Sequence, residues 1–276
     1  MELGTMTIKA VLFDLDDTLL WDERSVEEAF DATCQYANEQ SGVDPKQLEE
    51  AVRAAARQLY ATYETYAFTQ NIGINPFEAL WAHFTGGEHE EFRILQKLAP
   101  QYRVAAWTEG LRNLGVDNEQ LGQACAERFM EERRKRPYVY EDTFEVLKKL
   151  KADYPLLLLT NGAPCLQQEK LDGVPAISSY FDHVVISGRF SEGKPSRIVF
   201  EHAMKLLNIR PHEGLMVGDK LTTDIQGSVS IGMHNAWLNR NDKPLTGEIK
   251  PEYSIQSLHD LFDVIESINK QQEIVN

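Results

Sequence analysis

Acids, a lysine and a Thr-Asn pair stand at the ends of apolar runs in this chain. The first run, Ile8–Phe13, stops on Asp14-Leu15-Asp16-Asp17-Thr18. Carboxylates this close repel one another unless a cation or protons intervene. The chemistry such a cluster offers is a divalent-metal site in which one carboxylate is also a nucleophile. The motif by itself is weak, because an acidic, solvated turn after a strand has the same composition.

Three later stretches change its weight. Thr160-Asn161-Gly162 follows the Leu156–Leu159 run. Asn-Gly also makes hairpin turns, but the segment after it is helical in pattern, with Pro164 near its start. A strand-to-helix loop then offers a hydroxyl, an amide and backbone N–H groups at a helix N-terminus, which are phosphate-binding elements. Gly193-Lys194-Pro195 stands just ahead of another helical stretch. Most lysines are solvated; this one could place a cation among the carboxylates and balance a phosphoryl group. Gly218-Asp219-Lys220-Leu221-Thr222-Thr223-Asp224 ends a further strand, with Asp219 on the loop and Asp224 in the first helical turn. An acid there also offsets the helix dipole. Taken together, four strand ends supply carboxylates, a Thr-Asn, a Lys and more carboxylates. Mg²⁺ prefers oxygen ligands and keeps waters, which suits Asp14, the main-chain carbonyl of Asp16, Asp219 and a substrate phosphate. Lys194 and the Asn161 loop would add positive potential at the equatorial phosphoryl oxygens.

These residues meet only if the runs carrying them lie side by side. After Pro137, strands (Pro155–Thr160, His183–Ser187, Leu215–Gly218, His234–Leu238) alternate with helices (Thr143–Lys151, a stretch through Leu171, Pro195–Leu207, Leu221–Ile231). A last helical stripe runs Leu258, Leu261, Phe262, Ile265, Ile268. Alternation of this kind implies an α/β fold with a doubly wound, Rossmann-like parallel sheet, whose carboxyl edge is the usual mouth for ligands. From Trp21 to about Arg136 the periodicity is helical throughout. Asp44-Pro45 opens one helix, with Leu48, Val52, Ala56, Leu59, Tyr63 and Tyr66 on one face. Asn75-Pro76 opens another. The expected organisation is a catalytic core of residues 1–20 and 138–276 interrupted by an all-helical cap, residues 21–137. Trp21-Asp22-Glu23 reads as a hinge and helix start. Arg133-Arg134-Lys135-Arg136 reads as a solvated hinge face or an attractor of anions. Tyr60, Tyr63, Tyr66, Trp81 and Phe84 read as cap core.

Composition removes several functions. The formal charge is -15, with Lys+Arg 28 against Asp+Glu 43, which opposes nucleic-acid binding but allows a small anionic substrate. The three cysteines, Cys34, Cys125 and Cys165, show no CxxC spacing and fit a reducing cytosol. Met1–Lys9 lacks the apolar stretch of a leader, and no run approaches a membrane span. A cytoplasmic protein is expected. The seven histidines form no HExxH pair, so zinc hydrolysis has no support.

The four stretches, Phe13-Asp14-Leu15-Asp16-Asp17-Thr18-Leu19, Leu159-Thr160-Asn161-Gly162, Gly193-Lys194-Pro195 and Val217-Gly218-Asp219 through Asp224, resemble the motifs of the haloacid dehalogenase-like (HAD) superfamily of phosphohydrolases. The insertion between the first and second motifs resembles the helical-cap subgroup. The resemblance implies a phosphatase acting on a small phosphorylated metabolite. Asp14 would attack phosphorus to form an aspartyl-phosphate, and Asp16 would act as acid and then base. Thr160, with the Asn161 backbone, would bind the phosphoryl group, and Lys194 would orient Asp14. Asp219 would bind Mg²⁺, assisted by Asp224. The presence of Asp16 opposes haloacid dehalogenation, and the absence of Lys between Lys9 and Lys46 opposes phosphonate cleavage. The core motifs are similar to those of members acting on sialic acid 9-phosphate or nucleoside monophosphates; that likeness lies in the core, where the chemistry is shared, whereas specificity is set by the cap. The competing class is a non-catalytic phosphate- or partner-binding protein on the same fold, which a degraded motif would favour.

Overall fold

The computed structural model describes residues 8–273. The reading of Met1–Thr7 as free of a leader, and both outermost ends of the expected core, lie outside them. In chain order the elements are β1 (Ala10–Phe13), α1 (Asp22–Ser41), α2 (Pro45–Tyr60), α3 (Tyr66–Ile72), α4 (Pro76–Ala79), α5 (Glu90–Arg112), α6 (Glu119–Arg134) and α7 (Thr143–Asp153). There follow β2 (Leu156–Thr160), α8 (Pro164–Gly173), α9 (Pro175–Ser178), β3 (His183–Ile186), α10 (Arg197–Leu207) and β4 (Gly214–Gly218). A π-helical turn, Leu221–Ile225, then leads into α11 (Gln226–Ile231), β5 (His234–Leu238), β6 (Tyr253–Ile255) and α12 (Leu261–Glu273). Among the described residues no helix is long and apolar enough to cross a membrane.

The six strands of the described residues are all parallel, in the order β3-β2-β1-β4-β5-β6. Central strands of such a sheet are covered on both faces, so they read as unbroken apolar runs. β1 (AVLF) and β2 (LLLLT) are buried at every position. On one face Leu12, Leu157, Leu159 and Met216 pack under Val199, Phe200 and Ala203 of α10. The order reverses between β1 and β4, which places a topological switch at their carboxyl ends. β1 begins two residues later than expected, because the Ile8 N–H donates to Asn269 Oδ1 (3.0 Å) instead of extending the ladder.

The entry to β1 is tied to β4 by Glu213. Its carbonyl accepts from the Lys9 N–H (2.7 Å), and its buried carboxylate takes Lys9 Nζ (2.8 Å), Arg210 Nη2 (2.9 Å) and the Arg210 N–H (2.7 Å). Arg210 first, then Lys9, outweigh burial and hold the Glu213 carboxyl down to about 2, against an ordinary 4.5. Its stabilising contribution is therefore complete above pH 4.5 and is lost as pH falls from there toward 2. Lys9 and Arg210 are more than half exposed and solvent screens them. Glu213→Gln should accordingly cost about 1–2 kcal/mol at pH 7. It should also flatten the acid limb of stability, read as urea midpoints at successive pH values. An acid limb identical to wild type would refute this.

By contacts the chain forms two compact units. The described residues of the first are 8–21, 139–161 and 174–273, and they hold the sheet. The second comprises Asp22–Tyr138 and Gly162–Gly173 and is helical. α8 thus groups with the helical unit, although strand-helix alternation puts it in the core. Its Leu166 is buried in the helical core, and Lys170 Nζ lies 3.1 Å from Glu78 and 3.6 Å from Asp22. Within this unit α2 packs through Leu48, Val52 and Ala56. It ends at Tyr60 rather than continuing to Tyr66. The Thr62 hydroxyl donates to the Leu59 carbonyl (2.7 Å), a local alternative to the helical ladder. The basic cluster is neither simply solvated nor open to anions. Arg133 is buried and pairs with Asp22 (2.7 Å), Arg134 with Glu169 (2.6 Å), Lys135 with Glu132 (3.1 Å), and Arg136 with Glu132.

Candidate active site

The site is built at the carboxyl ends of β1, β2 and β4 and on the loop ahead of α10. The Asp14 N–H donates to the Val217 carbonyl (2.9 Å), so the β1–β4 ladder carries one residue beyond the strand and fixes Asp14 at the edge. The chain then turns tightly. Leu19 and Leu20 both donate to the Leu15 carbonyl (2.9 Å each), and Asp17 donates to Leu20 (2.7 Å). Asp17 sits at φ 59, a left-handed value that Asp tolerates better than most residues. The Thr18 hydroxyl reaches Asp14 Oδ2 at 3.4 Å.

Asn161 and Lys194 grip each other. The Lys194 N–H donates to Asn161 Oδ1 (2.8 Å), and Asn161 Nδ2 donates to the Lys194 carbonyl (3.0 Å). A Cβ on Gly193 would stand 2.6 Å from Asn161 Oδ1, so this approach requires glycine. The helix after it starts at Arg197, capped by Ser196, and not at Pro195, whose peptide bond is cis. Gly218 serves Asp224 in the same way, since a Cβ there would lie 2.3 Å from the Asp224 carboxylate. Asp224 Oδ2 accepts from the Lys220 N–H (3.1 Å), and the indole of Trp237 donates to the Asp219 carbonyl (2.8 Å).

These local features bring the charges together. Lys194 Nζ lies 2.6 Å from Asp14 Oδ1 and 2.7 Å from Asp224 Oδ1, with its side chain 2% exposed. Asp14, Asp219 and Asp224 each present an oxygen within 4.8 Å of the others. Asp14 and Asp224 therefore share the buried Lys194 ammonium, and Asp219 completes the acid cluster beside them. The cation is over-compensated: burial opposes its charge, but Asp14 and Asp224 prevail and raise its proton affinity. The acids are under-compensated. Burial raises the Asp14 carboxyl, with Asp224 adding to the effect and Lys194 opposing it. Burial raises the Asp219 carboxyl well above the usual range. Asp219 Oδ1 is buried and has no hydrogen-bond partner. An oxygen-only donor set, a net negative charge and an orphaned carboxylate oxygen fit a hard divalent cation.

Of the residues singled out in sequence, Asp14, Lys194, Asp219 and Asp224 converge directly. Thr160 is buried at the end of β2, and Asn161 joins through Lys194. The Asn161 amide, read as a phosphate-binding group, is engaged by the Lys194 backbone. The Asp16 carboxylate stays outside the three-acid group. Lys220 and Trp237 escaped the sequence reading. Lys220 is a second cation, and its charge lowers both Asp14 and Asp219. Its position directly after Asp219 was the available signal. Trp237 had none, since its partner lies 18 residues away.

A family model described as haloacid dehalogenase-like hydrolase matches residues 8–232. The chain is 32% identical to phosphoserine phosphatase of Thermus thermophilus, over 92% of this chain and 98% of that protein. It is 27% identical to N-acylneuraminate-9-phosphatase of Mus musculus, over 97% of each. Among solved structures it is similar to the HAD-hydrolase YfnB of Bacillus subtilis bound to magnesium. The TM-score is 0.65 and the identity 19%, over 94% of this chain and 99% of that one.

Proposed function

The chain belongs to the haloacid dehalogenase-like hydrolase family, and from that premise we propose a Mg²⁺-dependent phosphatase that hydrolyses a small-metabolite phosphate monoester through an aspartyl-phosphate on Asp14. The observation that carries this reading is the buried Asp14–Lys194–Asp224 triplet with the orphaned Asp219 oxygen beside it. The orphaned Asp219 oxygen offers a hard cation a ligand beside Asp14, the carboxylate placed to accept the phosphoryl group.

Asp14 supplies the oxygen that attacks phosphorus, and the alcohol leaves as the phosphoryl group is transferred. Both oxygens of Asp14 are engaged, Oδ1 by Lys194 and Oδ2 by Thr18, so its orientation is set in advance. Asp16 donates a proton to the leaving oxygen and then takes one from the water that cleaves the acyl phosphate. Thr160 and the Asn161 backbone bind phosphoryl oxygens, and Lys194 keeps positive potential at the acceptor. Asp14, the Asp16 carbonyl, Asp219 and Asp224 would hold Mg²⁺, which would supply positive charge to offset repulsion between an anionic nucleophile and an anionic ester.

The substrate class is a small phosphorylated metabolite of the cytoplasm; phosphoserine and a 9-phosphorylated acylneuraminate are the first compounds to assay. A phosphate-ester panel ranked by kcat/KM tests the reading. EDTA should lower turnover by at least about 100-fold, with full recovery in Mg²⁺. Turnover unchanged by EDTA would remove the metal from the proposal. No turnover on any ester with Mg²⁺ present would replace the phosphatase with a phosphate-binding protein.

A further inference from the structure

Arg240 follows β5 and belongs to none of the four motifs, yet it reaches the acid loop. Its Nη2 donates to the Thr18 carbonyl (3.2 Å), and Nη1 and Nη2 form a two-pronged pair with Asp142 (3.0 and 2.9 Å). Asp142 is fixed in turn by the Ser257 hydroxyl (3.0 Å) and the Leu258 N–H (2.9 Å). The guanidinium lies 3.9 Å from the centroid of the Tyr140 ring, and Tyr140 stacks on Trp21 at 5.0 Å. Thr18 itself is fully buried and turns its hydroxyl to Asp14 Oδ2. A continuous path therefore runs from Asp142 through Arg240 and Thr18 to Asp14. The next residue is held as well: the Leu19 carbonyl accepts from the Tyr140 N–H (3.2 Å) and the Thr143 hydroxyl (3.0 Å).

We infer that Arg240, oriented by Asp142, is a positioning residue that locks the Asp14–Leu20 loop from behind, so that Asp14 and Asp16 are set before substrate arrives. The inference rests on the phosphatase reading for its catalytic consequence, but not for its mechanical one. A purely structural ion pair would tie the β5 loop to the start of α7 and leave the acid loop alone. The bond to the Thr18 carbonyl separates the two cases. Arginine is needed because its planar fork serves Asp142 with two nitrogens and still reaches Thr18; a lysine has one point charge to divide.

Arg240→Ala and Arg240→Lys test this by hydrogen exchange and by kinetics. Amides of residues 14–20 should exchange about tenfold faster in Arg240→Ala and by an intermediate factor in Arg240→Lys, with β2 and β4 amides at wild-type rates. On an aryl phosphate with Mg²⁺, kcat should fall about 10–100-fold while KM moves less than about threefold. Near-UV circular dichroism establishes that each variant is folded, and Arg240→Lys carries the test if Arg240→Ala does not fold. Unchanged exchange over residues 14–20 in a folded variant overturns the inference, as does kcat within about twofold of wild type. If the wild type turns over no ester, the phosphatase reading falls and the exchange result alone decides the role of Arg240.

Discussion

Asp14→Asn should abolish turnover and leave the fold intact. Carboxamide nitrogen and oxygen are poor nucleophiles, so kcat/KM on an aryl phosphate should drop at least about 10⁴-fold. The same change should not harm the protein. Asn matches Asp in shape, and Asp14 is one of three clustered acids, with the Lys194 ammonium 2.6 Å away. Removing its charge relieves repulsion from Asp224 and Asp219 and leaves Lys194 paired with Asp224 at 2.7 Å. In EDTA the variant should therefore melt at the wild-type temperature or above it. Rapid quench with substrate followed by intact mass should find a phosphoryl adduct on wild type and none on the variant. Retained turnover would sink the nucleophile assignment. Lost turnover with a collapsed fold would mean that Asp14 is structural.

The parts of the site that could be read in sequence are those on strands buried on both faces. Such strands leave unbroken apolar runs, and the polar residue that stops each run marks the sheet edge, as Asp14, Thr160 and Asp219 do. β6 escaped because Tyr253–Ile255 is three residues at an edge, with Ser254 exposed. The end of α2 escaped because the apolar stripe runs on past Tyr60 while the Thr62 hydroxyl takes the ladder's acceptor. The side of α8 escaped because alternation says where a helix falls in the chain and nothing of what its buried Lys170 pairs with. The supports of the site were the least visible. Asn161 grips a backbone 33 residues away, and Arg240 grips one 222 residues away. Neither contact has a period or a motif. Chemistry was legible through residue type, whereas orientation lies in long-range hydrogen bonds that only the folded chain brings together.

Lys194→Met should be the most condition-dependent substitution in the protein. The methionine fills the space of the lysine stem, so packing is kept and charge is lost. Two buried carboxylates, Asp14 and Asp224, then face each other without the ammonium that stands 2.6 and 2.7 Å from them. Breaking a buried pair from one side costs about 3–5 kcal/mol, and in EDTA the variant should show that loss in urea titrations. Two remedies exist and both are measurable. Lys194 lowers the Asp14 carboxyl against the upward push of burial, so its removal lets that carboxyl rise further. An acid raised in the folded state stabilises below its unfolded value and loses that contribution as pH rises through the folded one. The variant should thus gain stability from pH 8 to pH 5 more steeply than wild type. A bound divalent cation should also recover stability, by an increment that grows with the logarithm of its concentration. Activity should remain low even at saturating Mg²⁺, about 10²–10³-fold below wild type, because positive potential at the acceptor oxygen is missing. Equal urea midpoints for variant and wild type in EDTA would show that Lys194 does not offset the buried acids. Wild-type turnover would show that Asp14 needs no such neighbour.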